Sequence, residues 1–133
     1  MPTAPLLSGF ATLGGMNART HADRWLTAWN SHDLDAIMAL YADDVDFSAS
    51  TVVTRWGRPD GRLHGKKELR RHFARGLELA PDLSFIEVAL LTNPSGYALL
   101  YQRDNDNRVL DVVELDEHHL ATRVRAYYEN TQR

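Results

Sequence analysis

The sequence predicts an α+β domain in which three N-terminal helices pack on one side of a strongly curved, mainly antiparallel sheet. Three observations carry that expectation. Up to Ala80, apolar residues recur mainly at helical spacing, with one short alternating run between the helices. From Leu83 onward, four strand-like runs follow one another, separated by turn residues. Within the third run, Asp111 shares the alternation of Val109, Val113 and Leu115, so an acid stands on a sheet face that is otherwise apolar.

Thr20 and Asp23 resemble a capping pair, and Ala22, Trp25, Leu26 and Trp29 follow on one face, which predicts a helix over about 20–30. Asp33 caps a second helix with the stripe Leu34, Ile37, Met38 and Tyr41, ended by Asp43-Asp44. Val45, Phe47 and Ala49 alternate with Asp46 and Ser48 as a short strand. The stretch from Thr51 to His64 contains Gly57, Pro59 and Gly61 and has no clear period, so it reads as a long loop with a short strand at each end. Gly65 and Glu68 open a third helix with the stripe Leu69, Phe73, Leu77 and Ala80, and Pro81 follows its stop. His72 and Arg71 flank that stripe. The runs at about 83–91, 97–103, 108–115 and 120–128 read as consecutive antiparallel hairpins. Several are apolar on both faces, so the face turned away from the helices is expected to bury itself against a second copy in a homodimer.

A chain of 133 residues is one domain with room for a real core. Residues 1–17, rich in Pro, Gly, Ser and Thr, read as a loose N-terminal extension and 18–133 as the domain. With 44% hydrophobic and 25% charged residues and a net charge of -3, nothing draws the chain to nucleic acid or an anionic membrane. No run approaches the roughly 18 apolar residues of a membrane span. The absence of cysteine removes thiol chemistry and cysteine-based metal sites and is compatible with a cytoplasmic location.

The run from Trp25 to Phe47 (WLTAWNSHDLDAIMALYADDVDF), His64-Gly65 ahead of a helix, and the closing strand 120–128 resemble the SnoaL-like polyketide cyclases. That family lies within the nuclear-transport-factor-2-like superfamily, and the resemblance extends over about Thr20 to Glu129. It implies a cystatin-like α+β cone enclosing an apolar pocket, commonly in a homodimer, with an Asp from a late strand near the ligand. Asp111 occupies the matching position. The implied activity is that of a cofactor-independent isomerase, cyclase or hydratase/hydrolase acting on a hydrophobic metabolite by acid/base catalysis. The alternative is a noncatalytic ligand-binding or dimerisation module of the same fold.

Asp111 itself has two readings: a general acid or base whose pKa is raised in a dry pocket, or a structural acid paired with Arg or a backbone donor. Tyr101, one strand earlier, and His72 are its candidate helpers, Tyr101 as a donor to a ligand carbonyl. Trp25, Trp29, Phe47 and Phe73 are candidate pocket walls, each also explicable as core. Trp56 is a candidate lid, and Arg55 and Arg58 are candidate carboxylate ligands or solvated loop residues. Arg123 and Arg125, which share an alternation with Tyr127, either neutralise an acid across the sheet or lie in the subunit interface. The six histidines lack a matched spacing with acids, so no metal is expected, and neither a phosphate-binding glycine loop nor a calcium loop is present.

Overall fold

The computed structural model describes the backbone of residues 3–130 and the side chains of residues 17–130. Four helices and six strands follow in the order α1 (Thr3–Asn30), α2 (Leu34–Met38), β1 (Tyr41–Ser48), α3 (Ser50–Trp56), β2 (Arg62–His64), α4 (Lys66–Leu79), β3 (Phe85–Asn93), β4 (Gly96–Arg103), β5 (Arg108–Leu115) and β6 (Ala121–Tyr128). The strands form one sheet, ordered β2-β1-β6-β5-β4-β3. All neighbouring pairs are antiparallel except β1 and β6, which run parallel, so the sheet is mixed and its two edges do not meet. Among the described residues no helix is long and apolar enough to cross a membrane.

Three boundaries differ from the sequence expectation, each for a physical reason. The first helix begins at Thr3 rather than near Thr20, so Thr20 and Asp23 lie within it and are not its cap. Pro5 is tolerated because the first N–H groups of a helix have no partner to lose. The second helix stops at Met38, although Asp33 caps it as expected by accepting the Ala36 N–H at 3.1 Å. Tyr41 belongs instead to β1, because the Leu40 carbonyl is claimed from outside the helix by the Ala121 N–H and by His21 Nε2, both at 2.9 Å. Asp43 and Asp44 then fall in a break of the β1–β6 register between Tyr41 and Asp46.

The third difference is α3, a fourth helix inside the stretch that reads as loop. Its residues Thr51, Val52, Val53 and Thr54 are β-branched and disfavour helix locally. Tertiary packing overrides that preference: Val52 is fully buried, and Gly57, in the left-handed region at φ 67°, closes the helix by donating to the Val53 carbonyl. A strand forms only at the far end of the stretch, where Leu63 pairs with Phe47.

The helices cover one face of the sheet, and the core lies between them. Trp25 and Trp29 of α1 meet Phe85 and Tyr101 from the sheet, with Trp25 stacked on Phe85 at a centroid distance of 5.3 Å. Phe73 of α4 packs edge-on against Trp29 at 4.9 Å and against Phe47 at 5.5 Å. On the uncovered face, Ile86, Leu91, Val112 and Tyr127 are exposed.

Gly96 opens β4 where the sheet leaves no space for a side chain, since a Cβ there would sit 1.9 Å from the Val113 carbonyl oxygen. Gly96→Ala is expected to destabilise the protein by about 1–3 kcal/mol, the range of overpacking, in urea denaturation. An unchanged midpoint would show that β4 and β5 are not held this close.

Candidate functional site

The alternation of β5 places Asp111 inward with Val109 and Val113, while Val112 and Glu114 face out. Its direct partners across the sheet are Leu99 on β4 and Ala126 on β6, neither of which can compensate a charge. Asp111 is 5% exposed, and its hydrogen bond comes from the Tyr101 hydroxyl, which donates to Oδ1 at 3.3 Å. Desolvation raises the carboxyl pKa to about 7 against the smaller opposing effect of that hydrogen bond. The arginines that could have paired with it lie elsewhere: Arg123 is 3.6 Å from Glu114, and Arg125 donates to Ser48 Oγ at 3.4 Å.

Asp111 lines a cavity of about 380 Å³ between helices and sheet, a size that suits a small organic ligand. Its walls bring together Trp25, Trp29, Phe47, Phe73, Tyr101 and His72, all expected from the sequence, and Arg55. Tyr101 is positioned differently from expectation, since its hydroxyl is spent on Asp111 rather than free for a ligand carbonyl. Burial raises its own pKa well above the usual phenol value, and the Asp111 charge adds to that shift. Tyr41, also buried, accepts the Trp25 indole N–H at 2.9 Å, and its phenol pKa is raised by desolvation and then by Asp111. The acid is therefore ringed by phenols that stay protonated at any physiological pH.

His72, rather than flanking the α4 stripe, is buried on it beside Phe73. Trp56 Nε1 donates to His72 Nδ1 at 2.9 Å, which places the imidazole proton on Nε2, 3.3 Å from Thr51 Oγ1. Desolvation lowers the His72 pKa to about 4, with the Arg55 charge adding to the effect. The ring is thus neutral, its lone pair is occupied, and its N–H points at Thr51. In turn Thr51 Oγ1 lies 3.4 Å from the Tyr128 hydroxyl.

Trp56 and Arg58 fall outside the cavity wall. Trp56 stands behind His72 with the Arg71 guanidinium 4.2 Å above its ring, so it buttresses the site instead of covering it. Arg58 forms a two-pronged pair with Glu68 at 2.9 and 2.6 Å and has no guanidinium fork to spare for a ligand. That pair, with the His64 N–H, holds the Glu68 carboxyl down to about 2.

The wall residues not singled out as site residues in the sequence include Phe85, Arg103, Thr51 and Tyr128. Arg103 had a legible signal, because it continues the inward alternation of Leu99 and Tyr101 by one step. Tyr128 likewise continues Val124 and Ala126. Thr51 had none, since its placement depends on the helix that local propensity hides.

A family model described as SnoaL-like domain matches residues 22–131. A SnoaL-like protein of unknown function from Burkholderia thailandensis is 31% identical, with 86% of this chain and 96% of that one covered and a TM-score of 0.82. A candidate ketosteroid isomerase from Kribbella flavida is 18% identical, over 89% of this chain and 82% of that one, with a TM-score of 0.70. A Mycobacterium tuberculosis protein in complex with estradiol-17β-hemisuccinate is 20% identical, over 85% and 94%, with a TM-score of 0.67. The last two likenesses are of fold. No curated protein matches the chain.

The raised carboxyl pKa has a consequence for stability. An Asp ordinarily titrates at 3.8, so the folded protein retains a proton that the unfolded chain has already released, and Asp111 loses stabilising effect as pH rises from about 4 through about 7. His72, with a depressed pKa, works in the opposite direction, losing its contribution as pH falls from 6.5 through about 4. Both proteins retain that opposing contribution when wild type is compared with Asp111→Asn. The unfolding free energy of the variant relative to wild type should therefore rise by roughly 4 kcal/mol between about pH 4 and pH 8. A pH-independent difference in chemical denaturation would mean that the buried acid is ionised throughout.

Proposed function

The chain belongs to the SnoaL-like domain family, and from that premise we propose that it is a cofactor-independent enzyme moving a proton on a small hydrophobic metabolite. The fold is the nuclear-transport-factor-2-like, cystatin-like one. The observation that carries the proposal is Asp111: a carboxyl poised near neutrality on the wall of an aromatic cavity, held by one phenol and opposed by no cation. In that state the carboxylate takes a proton from a carbon next to a carbonyl. The C–H bond breaks, the Asp111 O–H bond forms, and the electron pair moves onto the carbonyl oxygen. In a ketone with a C=C one bond beyond that carbon, the pair returns from the oxygen as the C=O re-forms and the double bond shifts toward the carbonyl. The same carboxyl delivers its proton to the far alkene carbon, which completes an isomerisation without any group leaving. Tyr101 orients Asp111, and Trp25, Trp29, Phe47, Phe73 and Phe85 supply an apolar bed for a ring system.

His72 serves this reaction by holding Thr51 rather than by accepting a proton, because its free lone pair is already engaged by Trp56. The same SnoaL-like fold also suits a noncatalytic ligand-binding module, and the two readings part on turnover. A ketone with acidic α-protons and two fused rings, 2-tetralone, separates them. In D2O the wild type is expected to accelerate deuterium incorporation beside the carbonyl, followed by NMR, and Asp111→Asn to lose about 10²–10⁴-fold of that rate. Equal exchange by both proteins would remove Asp111 from the chemistry, and binding of 2-tetralone without accelerated exchange would favour the binding module.

The proposal extends to a homodimer formed through the outer sheet face. Ile86 on β3, Leu91 on the same strand, Val112 on β5 and Tyr127 on β6 expose apolar area there, with Ala98 and Leu100 of β4 between them. Val112→Asp is expected to shift the protein from dimer to monomer in sedimentation velocity. A wild-type monomer at micromolar concentration would contradict this arrangement.

A further inference from the structure

The cavity is electrically asymmetric. Its interior holds one acid, Asp111, surrounded by phenols and aromatic rings, whereas its opening carries two guanidinium groups, Arg55 from α3 and Arg103 from the end of β4. Both are close enough to Tyr128 to stabilise its phenolate, and Arg103 disfavours the charge on Arg55. Like charges are thus brought together in a protein whose net charge is -3.

Neither guanidinium is well compensated. Arg55 donates to the His72 carbonyl at 3.1 Å and approaches His72 Nδ1 at 3.4 Å, and among the described residues no carboxylate lies within 4.0 Å of it. It is also desolvated, which lowers its pKa. Arg103 Nη2 reaches the neighbouring Asp104 carboxylate at 3.4 Å, but its Nε is buried with no hydrogen-bond acceptor among the described residues. A buried donor without an acceptor is costly unless something else supplies one. Arg58, by contrast, has its fork filled by Glu68.

We propose that Arg55 and Arg103 form a carboxylate clamp at the cavity mouth, and that the ligand is a hydrophobic ring compound bearing one carboxylate. Its ring lies against Trp25, Trp29 and Phe85 toward Asp111, while its carboxylate meets the two forks and the Tyr128 hydroxyl. Planar two-pronged recognition of carboxylate is what guanidinium geometry favours. The inference rests on the reading of the cavity as a ligand site, but does not require that Asp111 be catalytic.

Equilibrium dialysis with two probes of matched ring, 2-naphthylacetate and 2-(2-naphthyl)ethanol, tests the clamp at low salt. Wild type is expected to bind the acid about tenfold or more tightly than the alcohol, a difference of about 1.4 kcal/mol. Arg103→Met and Arg55→Met should each remove most of that preference, weakening the acid several-fold more than the alcohol. Equal affinity of wild type for the two probes would overturn the clamp while keeping the cavity reading, and this comparison requires no variant to fold. Loss of alcohol binding in step with acid binding in folded variants would also overturn it, by reducing both arginines to packing. Retention of neither probe would overturn the cavity reading and the clamp together.

Discussion

An acid in an apolar wall with no cation opposite it is the constraint around which the site is organised. Desolvating a carboxylate is expensive, and a protein ordinarily avoids that cost by pairing the charge or by keeping the group protonated. Here the partners across the sheet are Leu99 and Ala126, and the hydrogen bond to the group comes from a neutral phenol. A carboxyl that titrates near neutrality is therefore the outcome. The arrangement also explains why Tyr41, Tyr97 and Tyr101 all have raised pKa values, since burial and a shared acid act on each in the same direction.

The surrounding polar groups are arranged so that they do not compete for that acid. His21 illustrates this at the base of the sheet: Nε2 bonds to the Leu40 carbonyl at 2.9 Å, and Nδ1 faces the Tyr97 hydroxyl at 2.7 Å, so a buried neutral ring satisfies both neighbours. His72 does the same on the opposite side, taking the Trp56 N–H and presenting its own to Thr51. Both histidines have depressed pKa values, chiefly because burial penalises the imidazolium. The result is a cavity whose interior polarity is carried by neutral donors and one titrating carboxyl, with fixed positive charge confined to its opening.

Much of this was legible in the sequence, for reasons that particular residues make plain. A period of two is strict along β5, so the inward placement of Asp111 follows from Val109 and Val113 alone, and the same logic extends from Tyr101 to Arg103. The aromatic walls were legible because Trp25, Trp29 and Phe73 lie on helical stripes that had to face the sheet. What escaped was decided by partners distant in sequence. Tyr41 changed from helix to strand because Ala121 and His21 claim the carbonyl just before it. The helix α3 is hidden by four β-branched residues, and with it went the placement of Thr51 and the backing role of Trp56. Arg58 read as either a carboxylate ligand or a solvated loop residue, because nothing local reveals that Glu68 fills its fork.

The central claim is that Asp111 titrates near neutrality because it is buried against apolar neighbours on the wall of a cavity. Its carboxyl carbon can be followed directly by 13C NMR on aspartate-labelled protein, assigned by its disappearance in Asp111→Asn. The account predicts an apparent pKa of about 7 for that signal. A midpoint near the ordinary aspartate value of 3.8 would show that the charge is compensated in solution, and the catalytic role assigned to Asp111 would fall with it.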